Sequence, residues 1–305
     1  MSEVLVVGSL AYDSIKTKTG SAVRTLGGSA NYFSLAASLW SNVRVVGVIG
    51  QDYKAEDLEL LKARGVDLAG VEKAAGNTFF WEGSYEKDVN EAQTLKTELN
   101  VFADFNPKLP DTFASSKIVF LANIDPELQL KVLQQVNSPE IVGMDTMNFW
   151  ISSKKPQLLE VVKKVQVLLI NETEAKILSA SENAIEACRK LHDMGVARVV
   201  VKRGEYGFVM SSQKSGFFSL PAMPIEKVVD PTGAGDTFAG GFFGYLASLP
   251  GKAQESDFRR ACMIGAMTAS FTIQDFGVKS IAKLNKDGLQ KRLHDFDHIV
   301  SPSAW

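Results

Sequence analysis

Residues 230–242 read DPTGAGDTFAGGF. Gly233 and Gly235 flank Ala234, and a carboxylate, Asp236, follows directly. Glycine loses more backbone freedom on folding than any other residue, so a cluster marks an unusual backbone conformation or a close approach. The run TFAGGFFGYLASL that continues from it is apolar and helical in pattern, which puts the cluster at a helix N-terminus. There the first N–H groups lack intrahelical partners and the positive end of the helix dipole faces outward. Such a turn binds anions, phosphate among them. A carboxylate in the middle of an anion site is odd unless it does chemistry. GAGD alone reads equally as a tightly packed glycine loop; the longer string is far more specific.

Four other stretches carry candidate groups. Asp13, in GSLAYD, falls just past the first strand. In open parallel sheets ligands bind beyond the carboxyl ends of the strands. An acid there can accept hydrogen bonds from a polyol, or it is a solvated loop residue. In GGSAN, Gly27 and Gly28 let a ligand approach the backbone and Asn31 can bind paired hydroxyls. An ordinary helix cap has the same look. In NETE, Asn171 and Glu174 stand three apart at a helix start and share a face. Mg²⁺ with its waters suits that pair, and so does helix capping. In VVVKRGEYGF, Gly204 and Gly207 flank a tight turn between strands, and Lys202 can meet a nucleotide phosphate. A plain turn with surface basics is the alternative. The chain contains no GxxxxGK[ST] and no GxGxxG after its first strand, which excludes a Walker site and a dinucleotide fingerprint.

The elements that must position these groups alternate. Short β-branched runs at 3–8, 43–49, 117–121, 141–144, 165–170, 198–201 and 208–211 predict buried strands. Helical patterns at 29–40, 54–64, 126–137, 155–164, 172–180 and 183–194 separate most of them, and the last third is helical at 236–248, 256–273 and 287–295. Alternation of this kind predicts an α/β fold: a doubly wound, mostly parallel sheet with helices on both faces. Segments 14–26 and 78–104 break the pattern and predict a small β-structure projecting from the main sheet.

Composition narrows the function classes. The chain has 305 residues, 45% hydrophobic and 22% charged, with a net charge of −2. That balance recommends neither nucleic acid nor an anionic membrane as a partner. Cys188 and Cys262 lie in apolar helical patterns, as buried thiols of a reducing compartment do. The N-terminal stretch carries Glu3 and no basic leader, and no run approaches the ~18 apolar residues that span a bilayer. A cytoplasmic protein is expected.

Asp13, GGSAN, NETE, KRGEYG and DPTGAGD, in this order, resemble the ribokinase-like (PfkB) carbohydrate kinase family. The resemblance runs from the first strand to about Ser280. It implies a single kinase domain, 1–305, with the small β-structure as a lid, and transfer of the ATP γ-phosphoryl group to a hydroxyl of a sugar, sugar phosphate or nucleoside. By motif position Asp236 is the expected base, and the amides of Gly233, Ala234 and Gly235 the anion hole. Asp13, Gly27, Gly28 and Asn31 fall at acceptor-binding positions. Asn171, Lys202, Gly204, Gly207 and Thr232 fall on the nucleotide side, with Glu174 ordering Mg²⁺ through water. Asp230 and Thr232 begin a loop that holds K⁺ in many members, its other half expected at 274–280. Pro231 stands where many members carry threonine; it fixes φ and removes one N–H.

Phosphoryl transfer needs positioning and charge stabilisation more than covalent help, so donors and base must meet at one reacting oxygen. Phe79, Phe80 and Trp81 either stack on an acceptor or form the lid's own core. Lys16 and Lys18 either bind a substrate phosphate or protect an edge strand. The lid's edges suggest a homodimer through paired lids. The alternative function is a non-catalytic nucleotide- or sugar-binding sensor on the same fold.

Overall fold

The apolar runs collect into two sheets in the computed structural model, which describes residues 2–301; Met1 and 302–305, the ends of the expected domain, lie outside the described residues. The strands are β1 (Val4–Val7), β2 (Ala11–Thr17), β3 (Gly20–Gly27), β4 (Val43–Ile49), β5 (Val66–Lys73), β6 (Phe79–Ser84), β7 (Gln93–Glu98), β8 (Ile118–Leu121), β9 (Ile141–Met144), β10 (Val167–Asn171), β11 (Arg198–Lys202), β12 (Phe208–Ser212) and β13 (Gly216–Leu220). The large sheet has the order β13-β12-β11-β10-β9-β8-β1-β4-β5. It is parallel from β11 to β5 and antiparallel at the β11–β12 and β12–β13 pairs.

Both faces of this sheet are covered, which is why its central strands are continuous apolar runs. Val4 and Val6 of β1 join one core, with Phe33, Phe120 and Phe243. Leu5 and Val7 join the other, with Leu121, Val161 and Leu178. Each fully buried side chain of this size contributes roughly 1.5–3 kcal/mol. Helices Ser29–Ala37, Ala234–Ser248 and Glu255–Thr272 cover the first face. The glycines inside Ala234–Ser248 serve that packing. A Cβ on Gly244 would come within 2.7 Å of Ala37 Cα, and one on Gly241 within 3.1 Å of Gly265 Cα. The helix is held between its two neighbours at backbone contact.

The second sheet has the order β3-β2-β6-β7. It starts earlier than the expected hairpin at 14–26, because Ala11 and Tyr12 pair with Phe79 and Phe80. Asp13 therefore lies on a strand of this sheet and not in a loop after β1. The last part of the expected strand region, Asn100–Asp104, is a 3₁₀ turn. Phe79 stacks on Phe102 with centroids 5.4 Å apart, and Phe102 on Phe105 at 5.3 Å. That stack is the root of the small sheet. Lys16 pairs with Glu86 at 3.1 Å on the exposed side. Two edge strands of the large sheet, β5 and β13, go beyond the sequence reading. Their half-exposed, mixed patterns carry too few apolar residues to read as buried strands.

Candidate active site

Strands β9, β10 and β11 lie side by side and end at the same edge of the large sheet. Three charged groups meet just past those ends. Lys202, the last residue of β11, donates from Nζ to Asp145 Oδ2 at 2.8 Å. Asp145 follows β9 directly and is buried. Glu174 stands in the first turn of the Glu172–Ser179 helix that follows β10. Asp236 comes from the other side, in the first turn of Ala234–Ser248. Burial, and then the charge of Asp145, push the Asp236 carboxyl up to about 7, while Lys202 and its own amide pull the other way. Glu174 is raised by the same two causes, burial first. Lys202 keeps its charge despite burial because Asp145 and Glu174 hold it. Asp145 was not among the expected site residues. Its signal was present: an acid at the carboxyl end of a parallel strand, the rule applied to Asp13.

The glycine turn sits against this cluster. Gly233 caps the helix with φ 74°, the left-handed region. No Cβ fits on it, because the Tyr32 ring occupies the space. A Cβ on Gly235 would stand 3.0 Å from Lys202 Nζ. The amides of Gly233 and Gly235 have no hydrogen-bond acceptor among the described residues. The Ala234 amide differs from expectation: it closes the turn onto Pro231 O at 3.2 Å. Two open donors therefore belong to a turn whose Gly235 packs against the Lys202 ammonium. Asp230 braces the turn from behind, its Oδ1 accepting from Thr232 N and its Oδ2 from Gly277 N, each at 2.9 Å. This joins 230–232 to the 274–280 segment that was expected to pair with it.

Asp13, Gly27, Gly28 and Asn31 form the opposite wall. Asp13 is buried, and burial followed by the charge of Asp230 pushes its carboxyl up to about 8. It crowds Gly27 so closely that no side chain fits there. Gly28 has φ 89° and ψ 144°. Asn31 donates to Gly27 O at 2.6 Å and accepts from Tyr53 Oη at 3.1 Å, so its amide is locked in place. At Gly28 a Cβ would meet Ser9 O at 2.6 Å and Ala11 N at 2.7 Å. Gly28→Ala is thus expected to lower stability by about 1–3 kcal/mol, the usual cost of such backbone strain. A urea midpoint unchanged from the parent would contradict the placement of this wall.

On the remaining side, Asn171 and Glu174 form a capping box: Glu174 N donates to Asn171 Oδ1 at 2.8 Å and Asn171 N to Glu174 Oε2 at 3.0 Å. Capping fixes the Glu174 carboxyl, which feels the charge of Asp145. The β6–β7 connection reaches across to this side. Thr173 Oγ1 donates to Glu91 Oε1 at 2.8 Å, and Asn90 fills the space over Gly204. Gly207, with φ 80°, lets the turn pass against the backbone at Leu220. Among the described residues no group of three or more His, Cys, Asp or Glu converges on a metal position. Asp145 and Glu174, two hard oxygen donors, fit an ion that keeps most of its waters, as Mg²⁺ does. Among the described residues no helix is long and apolar enough to cross a membrane.

Known proteins share the sequence pattern and the fold of this chain. The model of the pfkB family of carbohydrate kinases matches residues 1–284. The cytidine kinase of Thermococcus kodakarensis is 31% identical over 257 residues, which cover 82% of this chain and 91% of that protein. The solved nucleoside kinase of Methanocaldococcus jannaschii, an archaeal member of the ribokinase family, superposes with a TM-score of 0.76 at 22% identity, covering 97% of this chain and 99% of that one. A putative ribokinase II from E. coli, solved with ATP and Mg²⁺, gives a TM-score of 0.78 at 16% identity, covering 97% and 100%.

Proposed function

The chain belongs to the pfkB family of carbohydrate kinases, and from that premise we propose that its cleft phosphorylates a hydroxyl of a nucleoside, with Asp236 as general base. It is a phosphotransferase with an alcohol group as acceptor, of the sugar and nucleoside kinase class. The nucleoside is preferred to a free sugar on the likeness to a cytidine kinase. The observation that carries the mechanism is the meeting of Asp236, the open amides of Gly233 and Gly235, and Lys202 at one place.

Each group then has one task. The two amides and the Lys202 ammonium face negative charge that develops on the transferring phosphoryl oxygens. Asp236 takes the proton of the attacking hydroxyl. Asp13 and Asn31 orient the acceptor, and the small sheet covers it and limits attack by water. Mg²⁺, held with its waters by Asp145 and Glu174, would offset phosphate charge when bound with ATP.

The test is ADP release from ATP and Mg²⁺ with cytidine, uridine, adenosine, ribose, fructose and sugar phosphates, with and without K⁺. A nucleoside is expected to stimulate release most. Stimulation by a free sugar alone would overturn the acceptor assignment, and ATP binding without any turnover would favour the sensor reading. The pH dependence follows from Asp236. Protonated, it cannot accept the hydroxyl proton, so kcat/KM should rise with pH through about 7. A flat profile between about pH 5.5 and 8.5 would contradict the base assignment.

A further inference from the structure

Tyr32 lies one residue after Asn31 on the Ser29–Ala37 helix. It is 1% exposed, and among the described residues its hydroxyl has no hydrogen-bond partner. Its ring is the wall behind the glycine turn: a Cβ on Gly233 would strike Cδ2, Cε2 and Cζ. Contact at Cζ brings the hydroxyl end of the ring to the turn. From there the hydroxyl feels the charges of Asp13, Asp230 and Asp236, and of Tyr85, which follows β6. Burial, and then these carboxylates, hold its acidity far below that of an ordinary tyrosine. It is therefore a neutral O–H at working pH, able to donate and accept.

Leaving such a hydroxyl buried and unpaired costs stability, and phenylalanine would fill the same volume without that cost. The neighbouring carboxylates do not relieve it. Asp230 is engaged with Thr232 N and Gly277 N, and neither Asp13 nor Asp236 comes within hydrogen-bonding distance. A ligand seated between those two aspartates can supply the partner. We propose that Tyr32 is a specificity-determining residue, whose hydroxyl hydrogen-bonds a hydroxyl of the nucleoside sugar held between Asp13 and Asp236. The proposal rests on the nucleoside kinase reading. A site that hydrogen-bonds a substrate hydroxyl rejects the analogue lacking it, because its own polar group is then left unpaired.

The experiment compares wild type and Tyr32→Phe on the best ribonucleoside and on its 2′-deoxy and 3′-deoxy counterparts, with a thermal melt of each protein without ligand. Tyr32→Phe should melt at the same temperature as wild type or higher. Its kcat/KM for the ribonucleoside should fall about 10- to 100-fold, the worth of one such hydrogen bond. For one deoxy analogue the loss in wild type should be similar, while the variant should lose little more; the two deletions then fail to add. A lower melting temperature would reveal a protein partner for the hydroxyl and overturn the proposal. Unchanged kcat/KM, or equal added losses on every analogue, would also overturn it. Wild type inert towards every nucleoside would sink the nucleoside reading, and the proposal with it. Turnover with an indifferent Tyr32→Phe would sink the proposal alone.

Discussion

Asp236→Asn is expected to lower kcat by about 10²–10⁴-fold, the usual worth of a general base, while ATP binding survives. The amide has nearly the shape of the carboxylate but cannot take a proton. It keeps the first helical turn intact, so the open donors of Gly233 and Gly235 stay where they are. The expected pattern is therefore a loss in kcat with acceptor KM little changed, the mark of an interaction made in the transition state. The acid limb near pH 7 should vanish along with the rate, since the group that titrates there is gone. Single-turnover kinetics give the cleanest reading, because slow product release could mask part of the effect. A variant within threefold of wild type in the chemical step would assign proton removal elsewhere.

The second large effect belongs to a residue the motifs do not contain. Asp145→Asn removes the strongest partner of a largely buried lysine, Lys202, whose side chain is 17% exposed. Breaking a buried pair by deleting one partner typically costs about 3–5 kcal/mol, because the remaining charge is uncompensated. Glu174 and Asp236 also hold the lysine, which places the expected cost toward the lower end of that range. Urea denaturation measures it. Pairing the change with Lys202→Met should recover part of the loss, since the double variant buries neither charge of the pair. Purely additive losses would mean that the two side chains are not coupled.

The same pair adjusts the acidity of Asp236 on top of burial, and here the signs separate. Asp145 raises Asp236 and Lys202 lowers it. Asp145→Asn should therefore move the acid limb of kcat/KM below pH 7, and Lys202→Met should move it above. Residual activity is enough to locate both limbs. Shifts in the same direction would contradict the electrostatic account, even if both variants were inactive enough to look alike at one pH.

Much of the site was legible locally, because backbone chemistry at a helix start acts within a few residues. Three of the relevant helix starts announced themselves in this way: GGSAN, NETE and the glycine turn before Asp236. The buried strands of the large sheet were legible for a related reason. With both faces covered, an unbroken β-branched run has no other stable place. What could not be read was convergence between chain-distant side chains. Asp145 lies 57 residues from Lys202, and Thr173 lies 82 residues from Glu91. The place of Asp145 at the end of a predicted strand was legible, but not its meeting with Lys202, and nothing in EKDVNEA marks Glu91 as the partner of Thr173.

The amino-acid sequence by itself determined the α/β class, the glycine turn at a helix start and the carboxylate beside it. Periodicity and glycine placement act on the backbone near each residue and so leave a local trace. Only the tertiary structure decided which groups meet. Strand order sets β9, β10 and β11 about 5 Å apart. That adjacency brings Asp145, Glu174 and Lys202 to one edge, the Ala234–Ser248 helix delivers Asp236 to it, and Tyr32 is left behind the turn with an unpaired hydroxyl. Those meetings depend on the order of strands and the packing of helices, which no short stretch of the chain records.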